Sequence, residues 1–230
     1  MQSLTLKDKE MIRKAATSSL FVLTSLFLGY RDVSINTHGQ IIRSLESEDK
    51  RKLIVVPRGS LKSSLGCVGF PIWALNRDPN ERILLDSELY TNSTTFLREI
   101  KSHLMNPLIT SVFGDYRTKT WNEAEIIIKQ RTQSLKEASI TCGGVGTTKV
   151  GQHYSIIIGD DYNSPKNSNT PENAKKVIDH YRYNLSILEP NGTYIIIGTR
   201  YSENDLIGYI LREELGLKEL PETKIYNVKG

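Results

Sequence analysis

Seven short apolar runs recur along the chain and predict the strands of a sheet. Each run is four or five residues long and draws on Ile, Leu and Val, the residues that favour buried strands. The predicted strands cover residues 52–56, 82–85, 125–128, 139–142, 155–158, 193–197 and 224–228.

Apolar positions at helical spacing predict helices between these runs. One helix is expected over residues 6–28. A second is expected over residues 171–188, with Thr170 as its N-cap, Pro171 at its first position and the turn at 190–192 as its stop.

A third helix is expected over residues 202–215, with Ser202 as its N-cap and Asp205 three residues later as a capping partner. Strands that alternate with helices of this length predict an α/β fold with a mainly parallel sheet and helices on both faces. Ligands of such sheets bind at the carboxyl ends of the strands, so the residues that follow each apolar run are the candidates for function.

The composition fits one globular domain of 230 residues, of which 38% are hydrophobic and 24% charged. Two cysteines cannot form a disulfide framework, which favours an intracellular protein. The early apolar run at residues 20–28 is too short to cross a membrane. The net charge of +4 is compatible with nucleic acid as a partner but does not indicate one.

The segment after the first predicted strand, residues 57–64, has the chemistry of a phosphate-binding loop. In such loops, backbone N–H groups at a helix start bind the phosphates of a nucleoside triphosphate. The Lys62 ammonium would neutralise the β- and γ-phosphates, and the Ser63 hydroxyl would ligate Mg²⁺. The standard motif has glycine where this chain has Val56 and Leu61, so the plain pattern fails. An ordinary basic turn between a strand and a helix is the competing interpretation.

Two carboxylates, Asp160 and Asp161, follow the run at 155–158. Because successive side chains of an extended chain point to opposite sides, we expect Asp160 to face the Mg²⁺ held by Ser63 and Asp161 to face the attacking water. The alternative is that the pair begins a solvated loop.

The run at 193–197 ends in the same way, with Gly198 and then polar residues. Thr199 is expected to hydrogen-bond to the γ-phosphate or to the water at Asp161. Arg200 is expected to transmit the presence or absence of the γ-phosphate to the protein outside the site. A strand end followed by a helix cap would have the same sequence.

Together, residues 54–63, 156–161 and 196–206 resemble the ATPase motifs of phage large terminases, the motors that package viral double-stranded DNA into preformed capsids. The loop with Arg four residues before the Lys, and Leu in place of Gly, is similar to a known form in that family. The resemblance implies a P-loop NTPase fold of the ASCE type, with residues 51–230 as the ATPase domain and residues 1–50 as a helical segment packed on it. It also implies that the C-terminal nuclease domain of terminases is absent from this chain.

The resemblance further implies the roles of individual residues. The implied ATP-binding residues are Arg58, Gly59, Ser60, Leu61, Lys62, Ser63 and Ser64. The implied catalytic residues are Arg58, Lys62 and Asp161, the implied Mg²⁺ ligands Ser63 and Asp160, and the implied coupling residues Thr199 and Arg200. Family members usually carry Glu where this chain has Asp161, which changes the geometry of water activation.

The implied cofactors are ATP and Mg²⁺. The implied partners are double-stranded DNA, the portal protein, the small terminase subunit and further copies of the chain in a homo-oligomeric ring, with no membrane. The implied location is the cytoplasm of the host cell, at the procapsid portal during packaging.

Ring ATPases take an arginine from a neighbouring subunit to stabilise the charge of the transition state. Arg131, expected at the end of the strand that starts at residue 125, is the first candidate and Arg117 the second, although each also fits a surface arginine. For the adenine base, the only candidate segment is residues 37–40.

Two other functions compete with the packaging motor. One is a helicase-like or DNA-remodelling P-loop ATPase, which would separate strands rather than dock on a portal. The other is a nucleotide-binding scaffold that no longer hydrolyses, which Leu61 and the shorter Asp161 would favour.

Overall fold

A seven-stranded sheet organises the protein, whose computed structural model describes residues 5–217 and 224–227. The strands are β1 (Arg51–Val55), β2 (Ile83–Ser87), β3 (Glu125–Ile126), β4 (Ile140–Cys142), β5 (Tyr154–Asp160), β6 (Leu188–Gly198) and β7 (Lys224–Asn227). Their order across the sheet is β3-β4-β2-β5-β6-β1-β7. The five central strands are parallel, and β3 and β7 are antiparallel edges.

Helices cover both faces of this sheet. They are α1 (Leu6–Ser18), α2 (Leu20–Val22) with a π-helical turn (Leu23–Phe27), α3 (Ile35–Glu46), α4 (Phe70–Arg77) after a π-helical segment (Ser64–Gly69), α5 (Tyr90–Leu104), α6 (Pro107–Phe113), α7 (Pro171–Ser186), and α8 (Leu206–Tyr209) with a π-helical turn (Ile210–Glu214). Of the helices in the described part of the chain, none has the length and apolar character needed to cross a membrane. The predicted α/β class, with a mainly parallel sheet and two helical layers, is confirmed.

The core has two parts because successive strand residues point to opposite faces of the sheet. On β5, Ile156 and Ile158 pack with side chains of helices α1 to α5, whereas Ile157 packs with side chains of α7 and α8. All three are buried, which explains why the strand reads as a continuous apolar run.

Strand register brings the polar strand ends together. Val55, the last residue of β1, pairs with Gly198, and Asp160, the last residue of β5, pairs with Ile197. Since all three strands are parallel, the segments that follow β1, β5 and β6 leave the sheet side by side at the carboxyl ends of the strands. The prediction that function lies at the carboxyl ends of the strands therefore has a geometric basis.

The first predicted helix is interrupted. Ser19 has an extended backbone (φ −144°), ends α1, and accepts the N–H of Val22 as the N-cap of α2. Ala16 and Leu20 are buried in the same core as Ile54 of β1. These residues thus belong to the core on one face of the sheet, while the boundary between residues 1–50 and the rest stays a prediction.

The second predicted helix is α7. Thr170 accepts the N–H of Asn173 as the N-cap and Pro171 is the first residue, as predicted. The stop at residues 190–192 is wrong, because the helix ends at Ser186 and β6 already begins at Leu188.

Strand lengths differ from the predictions at the sheet edges. β3 ends at Ile126 rather than at residue 128, and β7 begins at Lys224 as predicted. Val228, the predicted last residue of that strand, lies outside the described residues. Strand β5 is longer than predicted, because Asp160 still pairs with its neighbours in the sheet.

Candidate functional site

The loop between β1 and the following helix holds two residues with left-handed backbones. Gly59 has φ 79°, a conformation in which glycine costs least. Leu61 has φ 52°, which costs a residue with a side chain about 1–2 kcal/mol. The Leu61 side chain packs against the core between the sheet and helices α1 to α5, and this packing offsets part of the cost of the strained backbone. Leucine therefore stands where the standard loop has glycine and adopts a backbone that normally requires one.

Lys62 connects the three strand ends. Its Nζ atom donates a hydrogen bond to Thr199 Oγ1 at 3.2 Å and lies 3.7 Å from Asp161 Oδ2. The side chain is 7% exposed, so its charge is balanced mainly by Asp161 rather than by water. This ammonium group is therefore buried among the three predicted motifs.

Ser63 and Asp160 bring a hydroxyl oxygen and a carboxylate oxygen together. The Ser63 hydroxyl donates to Asp160 Oδ1 at 2.8 Å, and the Ser87 hydroxyl donates to the backbone oxygen of Asp160 at 2.9 Å. Hydroxyl and carboxylate oxygens are the donors that Mg²⁺ prefers, with the rest of its shell from phosphates and water. The pair therefore fits the ion that the sequence implied.

Burial, followed by the charge of Asp161, raises the pKa of Asp160 to about 7. The hydrogen bond from Ser63 and the charge of Lys62 act in the opposite direction but are weaker. A bound cation would favour the charged form of this carboxylate, so the residue is suited to bind metal and costly to ionise without it.

Asp161 lies outside the strand. Its φ is 41°, its N–H donates to the backbone oxygen of Ile197 at 2.8 Å, and its Oδ1 is buried with no hydrogen-bond partner in the part of the chain that the structure describes. The predicted reason for its direction, alternation along an extended chain, is wrong, because the backbone turns at this residue. The turn directs Oδ2 toward Lys62.

The segment after β6 is held by a buried carboxylate that sequence analysis placed in another role. Asp205 accepts the N–H groups of residues 201, 202 and 208 at 2.8–3.1 Å. It is the N-cap of α8, so the expected N-cap Ser202 is wrong. Asp205 thereby fixes the loop that carries Thr199 and Arg200, and the Arg200 Nε atom donates to the Ser202 backbone oxygen at 3.4 Å.

The remaining predicted loop residues surround this centre. The exposed guanidinium of Arg58 donates to the Tyr201 hydroxyl, which links the phosphate loop to the segment after β6. The Ser60 hydroxyl donates to the Pro57 backbone oxygen at 2.8 Å and closes the loop. Ser64 begins the π-helical segment that follows.

The two arginines proposed to act on a neighbour lie elsewhere. Arg131 donates from Nη1 to the backbone oxygen of Glu137, just before β4, which places it at the amino ends of the parallel strands. Its Nε and Nη2 are buried without a hydrogen-bond partner among the described residues. Arg117 is exposed. The role in a neighbouring site stays a prediction for both.

Sequence reasoning missed a buried polar cluster beside the site, formed by Asp86, Tyr162, His180 and Asn184. Asp86 and Ser87 close β2, directly after the apolar run at 82–85. The rule that strand ends carry function would have selected them, had it been applied to this run.

A cavity of about 500 Å³ lies beside the loop, between α3 and the edge of the sheet. It is lined by Gln40, Arg43, Ser44, Ser47, Val56, Lys224 and Ile225. The Ser44 hydroxyl is buried and has no hydrogen-bond partner among the residues described. Gln40 belongs to segment 37–40, the candidate for binding adenine. It lines a cavity that reaches Val56, at the start of the predicted phosphate loop.

Comparison with known proteins identifies the fold only. No protein-family model and no curated protein matches the chain. Seven chains of solved structures match, among them an S. cerevisiae Dbp5 variant bound to Nup159, a Gle1 variant, IP6 and ADP. That match has a TM-score of 0.51 at 10% identity and covers 89% of this chain and 50% of that one. The chain thus spans half the length of that structure and shares its α/β fold.

The raised pKa of Asp160 predicts a pH-dependent stability. In the folded protein without metal the carboxyl group stays protonated up to about pH 7, whereas in the unfolded chain it ionises near its ordinary value of 3.8. Stability should therefore fall between these pH values. We expect Asp160→Asn to raise the melting temperature in EDTA by several degrees at pH 8, where the full effect is present, and by clearly less at pH 5, where only part of it has developed. Equal shifts at both pH values would contradict the assignment, and Asp179→Asn on the surface of α7 is the control.

Proposed function

We propose that this chain is an ATP-hydrolysing P-loop domain. One observation carries the proposal: the Lys62 ammonium on the phosphate loop contacts Asp161 and Thr199, which follow two other parallel strands. A γ-phosphate is hydrolysed where a cation, a carboxylate for the water and a polar sensor are all within reach. The ADP in the Dbp5 structure of the same fold supports a nucleotide as the ligand.

Binding would use the loop and the oxygen pair. Lys62 would exchange its contacts with Asp161 and Thr199 for β- and γ-phosphate oxygens, and Arg58 would add a second cation. Backbone N–H groups of residues 59–63 would contact the phosphates. Ser63 and Asp160 would hold Mg²⁺, which supplies positive charge to the phosphate oxygens.

Hydrolysis would use Asp161 as the general base. Its Oδ1 is buried without a partner among the described residues, so it can accept a proton from a water molecule. The water oxygen would form a bond to the γ-phosphorus while the bond to ADP breaks, and Lys62 would stabilise the charge that develops. The products are ADP, inorganic phosphate and the proton on Asp161.

Coupling would use the segment after β6. Thr199 accepts a hydrogen bond from Lys62, so a phosphate that draws Lys62 away releases this contact. Arg200 is the next residue, and Asp205 anchors the same loop to α8. This loop would transmit the presence or absence of the γ-phosphate to α8.

We infer further that the domain is the motor of a viral DNA-packaging terminase. The support is the order and spacing of the three motifs. Double-stranded DNA, a portal protein, a small terminase subunit and a ring of identical subunits completed by Arg131 or Arg117 would be its partners. Its place would be the procapsid portal in the host cytoplasm.

A helicase-like ATPase is the second candidate, favoured by the fold shared with Dbp5. Two assays separate the candidates. A packaging motor should hydrolyse ATP faster with double-stranded DNA and leave a labelled duplex paired, whereas a helicase should separate its strands. A scaffold that no longer hydrolyses would release no phosphate in either assay.

The first mutational prediction concerns Lys62. We expect Lys62→Ala to lower phosphate release by roughly 10²–10³-fold, because the main cation at the γ-phosphate is lost. Thermal unfolding should show whether the variant folds, since the substitution also leaves Asp161 without its partner. Lys166→Ala, an exposed lysine in the loop after Asp161, is the matched control. Turnover at the wild-type rate in Lys62→Ala would refute the phosphate-loop assignment.

Asp161→Asn tests the base separately from binding. An amide keeps the size of the carboxylate but cannot take the proton of the water, so kcat should fall by about 10²-fold or more. ATP should bind at least as tightly, because a negative charge near the phosphates is removed. The measurements are single-turnover phosphate release and equilibrium binding of a fluorescent nucleotide. If Asp161→Asn instead weakened Mg²⁺ binding and left kcat unchanged, the roles of Asp160 and Asp161 would be exchanged.

The cavity beside α3 predicts where the base of the nucleotide binds. We expect Gln40→Ala to raise the KM for ATP several-fold with little change in kcat, because an amide that contacts the base acts equally in the ground and transition states. Inorganic triphosphate lacks a base, so its affinity should not change. An equal loss of affinity for ATP and triphosphate would place the base elsewhere.

A further inference from the structure

The left-handed backbone of Asp161 requires something to hold it. A non-glycine residue at φ 41° is strained and persists only where the surroundings determine it. The hydrogen bond from its N–H to Ile197 is one such contact. The other lies at the next residue, Tyr162.

The ring of Tyr162 folds back beneath the end of β5. A side-chain carbon built on Gly159 would lie within 2.7 Å of Cε2, Cζ and the hydroxyl oxygen of this ring, so glycine is required at position 159. The chain thus reverses between Gly159 and Tyr162, with Asp161 at the bend. Whatever fixes the Tyr162 ring also fixes the direction of the Asp161 carboxylate.

The Tyr162 ring is fixed by a buried carboxylate. Its hydroxyl donates to Asp86 Oδ2 at 2.9 Å, and both residues are at most 3% exposed. Burial, followed by the charge of Asp86, raises the pKa of Tyr162 well above its usual range, so the hydroxyl remains a donor. Asp86 pairs with Gly159 in the register of β2 and β5, which places the anchor directly beside the bend.

Helix α7 completes the anchor. His180 Nε2 lies 2.6 Å from Asp86 Oδ2, and Asn184 Nδ2 donates to the same oxygen at 2.6 Å. A carboxylate only accepts, so the histidine donates from Nε2. A buried charged group is strongly destabilising unless such donors satisfy it, and a satisfied network is rigid. We call Asp86, Tyr162, His180 and Asn184 the Asp86 cluster.

We propose that the Asp86 cluster is a positioning device for Asp161, with Tyr162 as the residue that transmits it. The inference rests on the proposed function, in which Asp161 acts on the attacking water. It adds that the carboxylate reaches the water only while Tyr162 is held to Asp86. Loosening that contact lowers the rate of hydrolysis and leaves nucleotide affinity intact.

The test compares two tyrosines of the same strand region. Tyr162→Phe removes only the hydroxyl that contacts Asp86. Tyr154→Phe is the matched control, since Tyr154 is also fully buried, lies at the opposite end of β5, and donates to Gln152 at 2.6 Å. We expect Tyr162→Phe to lower kcat by between about tenfold and 10²-fold with ADP affinity unchanged, and Tyr154→Phe to keep the wild-type kcat.

A double-mutant cycle separates positioning from a general loss of order. If Tyr162 acts through Asp161, then Tyr162→Phe should have no further effect on kcat in the Asp161→Asn background. Additive effects would overturn the proposal, as would equal losses in the two phenylalanine variants. If Tyr162→Phe fails to fold by thermal unfolding and ADP binding, Asn184→Ala removes a different donor to Asp86 and should give the same cycle.

Lys62→Ala distinguishes failure of this inference from failure of the proposed function. If Lys62→Ala abolishes hydrolysis while Tyr162→Phe behaves like Tyr154→Phe, only the role of the Asp86 cluster is refuted. If Lys62→Ala hydrolyses ATP at the wild-type rate, the proposed function itself is refuted.

Discussion

The buried ammonium group of Lys62 is the interaction on which the site depends. Asp160 and Asp161 lie at the end of one strand, where the negative charge of Asp161 adds to burial in raising the pKa of Asp160. Lys62 balances this charge and also binds Thr199, so one cation holds together segments that follow three strands. A phosphate group carries the same sign of charge as the carboxylates and would compete for the same cation. Under the proposed function, the arrangement would make the three segments respond together to a bound nucleotide.

Backbone strain accompanies this electrostatic centre. Leu61 and Asp161, on either side of the centre, are the non-glycine residues with positive φ in the described part of the chain. Each is held by packing rather than by its own preference: Leu61 by the apolar core, and Asp161 by the Tyr162 ring beneath Gly159. Strained residues held in this way are typical of sites where a group must be ready before its ligand arrives.

Local patterns predicted the fold, but not the contacts that hold the candidate site in place. The runs at 52–56 and 155–158 predicted two strands of a mainly parallel sheet, which lie on either side of β6, and the polar residues after them predicted side chains that meet at the strand ends. The bend at Asp161 was not predictable, because it depends on a tyrosine ring that packs on Gly159 and on a carboxylate 76 residues away in the chain. The break at Ser19 and the N-cap Asp205 were missed for a different reason. The apolar positions continue at helical spacing across Ser19, so the pattern alone shows no break there. Near Asp205, Ser202 is an equally suitable cap by residue type, and the structure shows that Asp205 accepts the N–H of Gly208.

A crystal structure with Mg²⁺ and a non-hydrolysable ATP analogue tests the central claim most directly. The account predicts that Lys62 Nζ leaves Asp161 and Thr199 for the β- and γ-phosphate oxygens, and that Ser63 and Asp160 lie at the metal. Asp161 should then face an ordered water in line with the γ-phosphorus. An analogue bound away from the loop, or one bound there while Lys62 still contacts Asp161, would contradict the account.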